Sequence, residues 1–121
     1  MANNDAATTV DADKDKEEKE RQSKCLQNIR TAHRSYDSAT LDIQQCLEKA
    51  SASPFVSSQL LAKLKDEFDK AAKLDEQLVG LDKSSRQKEA LDIGKSKVTI
   101  QASYDGLKEC KALCGKINPL L

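Results

Sequence analysis

CLQNIRTAHRSYDSATLDIQQCLEKA, residues 25–50, is the stretch that decides the fold. Ile29, Tyr36, Ile43 and Ala50 recur at every seventh residue, and Cys25, Ala32, Ala39 and Cys46 form a second series three or four positions away. At 3.6 residues per turn both series fall on one helical face, and Leu26 and Leu47 widen it. The spacing therefore predicts a helix over about 18–50 with one side sheltered from water.

The same reading extends outward. SASP at 51–54 interrupts the pattern; Ser53 as a cap and Pro54 at the first helical position predict a second helix over about 55–79. Its inner residues are Leu61, Leu64, Phe68, Ala71, Leu74 and Leu78, and Gly80 is placed to end it in a left-handed conformation. Ser84 and Gln87 have the spacing of a capping box, which predicts a third helix over about 85–115. Ile93, Ile100, Leu107 and Cys114 give it a stripe, joined by Tyr104, Cys110 and Ile117. Gly94 and Gly106 each weaken this helix by about 1 kcal/mol relative to Ala, and the β-branched run at 98–100 adds to that. The stripe stays in phase across Gly106, where a kink is one expectation. Gly115 and Pro119 mark its end.

Short connections between three amphipathic stretches pack sequential neighbours antiparallel. The expected fold is all-α, an up-down-up three-helix bundle over 17–118, preceded by a disordered acidic tail over 1–16. With Val10 the exception, the first 14 residues have almost no large apolar side chain, and the charge run DKDKEEKER reads as first turns that project beyond the core. Composition agrees: four Gly, two Pro and 3% aromatic residues are too few for a β-rich chain.

Twenty basic and twenty acidic residues cancel, so no global field recruits nucleic acid or anionic lipid. Residues 83–121 hold eight bases and four acids, an excess too small to decide a partner. No apolar run approaches the ~20 residues of a membrane span, and no basic segment followed by an apolar one opens the chain. Cytosol or nucleus is the expected compartment, which favours reduced thiols.

KECKALCGKIN at 108–118 raises the one question of chemistry. In a parallel arrangement of the first and third helices, Cys46 comes level with Cys110 and Cys114, so three thiols cluster at one end. These three are the candidate metal or redox residues. Against that reading, paired C-x-x-C knuckles are absent, and thiols at a helix C-terminus are disfavoured as thiolates. All four cysteines lie on apolar stripes, where Cys packs as a small hydrophobe. Cys25 is ~31 Å from Cys46 along one helix, too far to pair with it.

His33 is the single histidine and flanks the first stripe, with no recognisable catalytic order around it. Asp66, Glu67 and Asp69 alternate with Lys63, Lys65, Lys70 and Lys73 as on a solvated face. Lys97, Lys108 and Lys111 around Tyr104 could form a basic ribbon for RNA. The pattern is that of a non-enzymatic helical interaction module, an adaptor or small structural subunit, without catalytic residues or cofactors. Its partners are expected to be other proteins or further copies of itself. A cysteine-based redox or metal protein and an RNA-associated protein are the alternatives. The candidate interaction or core-stripe residues are Ile29, Tyr36, Ile43, Leu64, Phe68, Ile100, Tyr104 and Leu107.

Overall fold

In the computed structural model, which describes the backbone from residue 2 and side chains from residue 13 onward, the chain is a three-helix bundle. The helices are α1 (Ala2–Ala52), α2 (Ser58–Arg86) and α3 (Ile93–Ile117), and a 3₁₀ turn, Asn118–Leu120, follows. Each helix packs on both others. Cross-helix pairs establish the topology. Arg30 meets Asp82, His33 meets Asp75 and Tyr36 stacks on Phe68, so numbers fall along α2 as they rise along α1. Cys25 shares a cleft with Ile93, and Cys46 shares another with Cys114, so α1 and α3 run parallel. The expected up-down-up order is the observed one.

The tail expected over 1–16 lies for the most part outside the described side chains; residues 13–16, which are described, are helical and exposed. Here Arg21 reaches Glu17 and Glu18 at 3.6 and 3.7 Å, spacings that one helical face provides.

The helix boundaries differ from those expected over 18–50, 55–79 and 85–115. Ser53 does not cap α2; its Oγ accepts from the Phe55 N–H within the turn after α1. The N-cap is Ser57, whose Oγ accepts from Leu60 N at 3.1 Å. The intervening turn lets Val56 pack against the core. Gly80 does not end α2, which continues to Arg86. Leu81, one residue beyond that glycine, still packs against the cluster of Cys25, Ile29, Ala32, Leu78 and Leu91, so the helix has apolar surface left to bury.

Ser84 and Gln87 therefore close α2 rather than opening α3. Gln87 is its C-cap, Glu89 N–H donates to Ser84 O and Lys88 N–H to Ser85 O. That is the paired bonding of a Schellman motif, and its left-handed residue is Lys88 at φ 64°. An L side chain in that conformation costs about 1–2 kcal/mol. Lys88→Gly is thus expected to raise unfolding free energy by about 1 kcal/mol in a urea titration, net of the greater chain entropy glycine loses on folding. No gain would mean that this turn is not left-handed in solution.

The segment before α3 is tied to α1 by one side chain. Leu91 N–H donates to Gln22 Oε1 at 2.7 Å, and Gln22 Nε2 donates to Leu91 O at 2.9 Å. The amide thereby satisfies both backbone groups of a residue that is itself buried. Asp92 then caps α3 through Lys95 N at 3.0 Å.

Of the expected core residues, Ile29, Ile43, Leu64 and Leu107 are buried, while Tyr36 and Phe68 are half-buried and stack with centroids 6.3 Å apart. Along α3 the expected stripe is rotated. The buried residues are Ser96, Thr99, Ser103, Leu107, Cys110, Leu113 and Ile117; Ile93 and Ile100 lie half-buried at the flank, and Tyr104 is 37% exposed. Tyr104 is thus not a core residue. Ser96 and Ser103, both fully buried, take the inner line of the helix, and the bulkier residues of the expected stripe fall beside it. The third helix runs unbroken through Gly106, opposite Ala71 of α2, where an added Cβ would stand 3.8 Å from that of Ala71.

Thr99 satisfies its hydroxyl on Lys95 O at 3.0 Å, but Ser96 Oγ and Ser103 Oγ are buried without a hydrogen-bond partner among the described residues. An unpaired buried hydroxyl costs about 1–3 kcal/mol. Ser103→Ala is therefore expected to leave stability unchanged or raise it by about 1 kcal/mol, read by chemical denaturation. A loss larger than about 1 kcal/mol would show that the hydroxyl is satisfied in solution.

Candidate functional site

Along α2 the positions Leu64, Phe68, Ala71, Asp75 and Leu78 recur at alternating four and three residues, which is the buried phase. Asp75 is the one charged member of this set, and its side chain is 10% exposed. A carboxylate in such a position requires a partner, and α1 supplies it: His33 Nδ1 lies 2.7 Å from Asp75 Oδ1. One helical turn on, Asp37 Oδ2 lies 3.3 Å from Nε2 of the same ring. The hydrogen bond to Asp75 raises the His33 pKa above its usual 6.5; burial opposes this, and the negative charges of Asp75, Asp37 and Asp82 add to it. Asp82, further along the seam, receives Arg30 Nε at 2.9 Å and Arg86 at 3.3 Å. The α1–α2 junction thus carries a polar seam beside an apolar core.

His33, Asp37 and Asp75 are, among the described residues, the one group of three metal-ligating side chains whose ligand atoms lie within 4.8 Å of one another. Each imidazole nitrogen faces its own carboxylate, so a proton shared across the seam fits the geometry better than a cation that needs all three groups to converge. Sequence reading placed His33 at a boundary and missed Asp75. The signal was present, since the four-and-three spacing through Leu64 and Leu78 assigns Asp75 to the core face.

Cys46 and Cys110 are buried and Cys114 is half-buried at the opposite end of the core from Cys25, and all four are free thiols. The cluster expected at the C-terminal end of α1 is therefore present. Among the described residues the three sulfurs are not, as a set, within 4.8 Å of one another. Burial, helped by Glu67 and Glu109, pushes the Cys110 thiol up to about 11; burial and the adjacent Cys46 thiol push Cys114 up to about 12. Neither is a thiolate at neutral pH. Ellman's reagent is expected to label Cys114 first and slowly in the native chain, and all four cysteines promptly in guanidinium; prompt labelling of two or more native thiols would contradict this burial.

Two clefts open between α1 and α3. One of about 440 Å³ is lined by Ile43, Cys46, Lys49, Lys111 and Cys114 with Ala39, Asp42, Gln45, Gly115 and Asn118. The other, about 340 Å³, lies between Arg21, Lys24, Cys25 and Asn28 of α1 and Ile93, Lys97 and Ile100 of α3. Asp66 and Asp69 are exposed on α2, and Glu67 pairs with Lys70 at 3.5 Å, which is the solvated face expected there. No described helix is long and apolar enough to cross a membrane. No protein-family model matches the chain, and neither the curated proteins nor the solved structures contain a detectable relative.

Proposed function

We propose that this chain is a non-enzymatic helical module that holds another protein, as an adaptor or a small subunit of a larger assembly. The supporting observation is an inversion of side chains. Ser96 and Ser103 occupy the core at 0% exposure, while Leu41, Phe55 and Val98 stand 61%, 75% and 70% exposed. Apolar surface that the fold leaves in water, including an aromatic ring, is what a protein interface uses for its anchors. Phe55 projects from the α1–α2 turn, at the bundle end where α3 also finishes.

The test replaces Phe55 with a photoreactive phenylalanine analogue in the full chain, expressed in its native cell. A discrete adduct of defined mass is expected, absent when the probe sits instead at exposed Glu89 on the α2–α3 turn. Equal, diffuse labelling from both positions would remove the reading. The cysteine alternative retains one supporting observation, that Cys46 and Cys114 line a common cleft. Thiol counting after mild oxidation separates it from the first, because a thiol-dependent switch must lose two of its four titratable thiols.

A further inference from the structure

The chain has no net charge, yet its basic groups are not evenly spread. The α1–α3 clefts are bordered by Lys24 and Lys49 on α1 and by Lys97 and Lys111 on α3, with Asp42 the one acid among their lining residues. Among the described residues none of these four lysines has a carboxylate within 4.0 Å. On the other side of α1, Asp37, Asp75 and Asp82 gather around His33 and Arg30. Between the lysines the floor is apolar, with Ile93 and Ile100 at one level and Ile43, Cys46 and Cys114 at the other.

The rotation of α3 explains this arrangement. Because Ser96 and Ser103 take the centre, the isoleucines that sequence alone assigns to the core lie along the α1–α3 junction, half-covered. Lys24 and Lys49 stand ~37 Å apart along α1 at 1.5 Å per residue, about seven helical turns, with one cleft near each of them.

We infer that the α1–α3 junction is the docking surface of the proposed module, and that its occupant is an amphipathic helix of a partner protein, apolar along one stripe and acidic on both flanks. This inference rests on the interaction-module reading and specifies it. A fourth helix would cover Ile93 and Ile100 and place carboxylates beside Lys24, Lys49, Lys97 and Lys111, completing a four-helix bundle. A second copy of this chain does not fit, since a two-fold contact through this face would bring two cationic rims together. A nucleic acid strand fits less well than a helix. The floor is aliphatic, and Arg21, the arginine at the rim, is already engaged by Glu17 and Glu18.

The probe is a fluorescein-labelled synthetic helical peptide of about seven turns, with Leu at every third or fourth position and Glu elsewhere; its control has Lys in place of Glu. Fluorescence anisotropy with the full chain is expected to show the acidic peptide binding at least tenfold more tightly than the basic one, with one peptide per chain by light scattering. Lys24→Glu with Lys97→Glu should weaken it at least tenfold while circular dichroism is unchanged. Lys63→Glu with Lys65→Glu, on the exposed face of α2, should not. Equal affinity for the two peptides, equal weakening by the two variant pairs, or displacement of the peptide by an oligouridylate overturns the assignment. The photo-adduct from Phe55, measured in the Lys24→Glu, Lys97→Glu chain, keeps the two ideas apart. Persistence of the adduct together with failure of the peptide discards the junction and leaves the module; loss of the adduct in the wild-type chain discards the module itself.

Discussion

Leu64→Ala is expected to lower the unfolding free energy by about 3 kcal/mol, within the 2–5 kcal/mol typical of fully buried leucines. Leu64 has no exposed surface and sits in the larger apolar cluster, among Ala39, Ala50, Ala71, Ile43, Leu107 and Leu113. Three members of that cluster, Ala39, Ala50 and Ala71, are alanines, whose side chains have no rotamers with which to refill space. The removed methyl groups therefore leave a cavity rather than a collapse. Small domains hold about 5–15 kcal/mol in total, so this single change removes a large share. Leu41→Ala supplies the control. Leu41 is 61% exposed on the outer side of α1, and its truncation should stay within about 0.5 kcal/mol. Urea titration of the two variants checks the packing directly; equal losses would mean that the apolar stripe is not the core.

His33→Ala is expected to cost about 2 kcal/mol near pH 6, chiefly because it strands the Asp75 carboxylate, a nearly buried acceptor whose one side-chain partner is this imidazole. The figure is held below that of a fully buried pair because the His33 side chain is 37% exposed and solvent screens it. The sign of the pH dependence follows from the raised pKa. Below 6.5 the imidazole is charged in both folded and unfolded chains, and the clamp contributes fully; as pH rises through the folded-state value the proton leaves and that contribution is lost. The stability difference between wild type and His33→Ala should therefore shrink on going from mildly acidic to mildly alkaline buffer. Asp37 faces the same ring from α1 and Asp82 adds its field from α2, so Asp37→Asn should narrow the difference slightly without abolishing it. A difference that is flat or grows with pH would show that His33 and Asp75 are not paired. Asp75→Leu, which places an apolar side chain at a core position, should be close to neutral.

The contrast between these two sites shows how much of the molecule a linear reading carries. Ile29, Ile43 and Leu64 were legible because each belongs to a run of apolar residues whose spacing is a property of neighbouring positions. His33 and Asp75 are 42 residues apart, and Gln22 and Leu91 are 69 apart. Nothing in either local stretch announces its partner, although an acid in a buried phase signals that one must exist. The helix ends were misplaced for a related reason. Ser53, Gly80 and Ser84 are all competent capping or breaking residues, and which of them acts depends on whether the chain beyond still has apolar surface to bury. Leu81 did, so α2 continued past its glycine to Arg86, and the left-handed turn that closes it falls on Lys88, eight residues beyond Gly80.

By itself the amino-acid sequence determined that this protein is helical, that it has three amphipathic segments, and that their order is up-down-up, because helical periodicity and short connections are local properties. Only the tertiary structure decided the rotation of α3 about its axis. Serines at 96 and 103 carry no apolar signal, yet they are fully buried, while Ile93 and Ile100 lie half-buried at the flank and Tyr104 is exposed; packing of small side chains in a dense interior is a tertiary property that hydrophobicity along the chain does not announce. That rotation leaves an apolar, lysine-bordered junction open between α1 and α3.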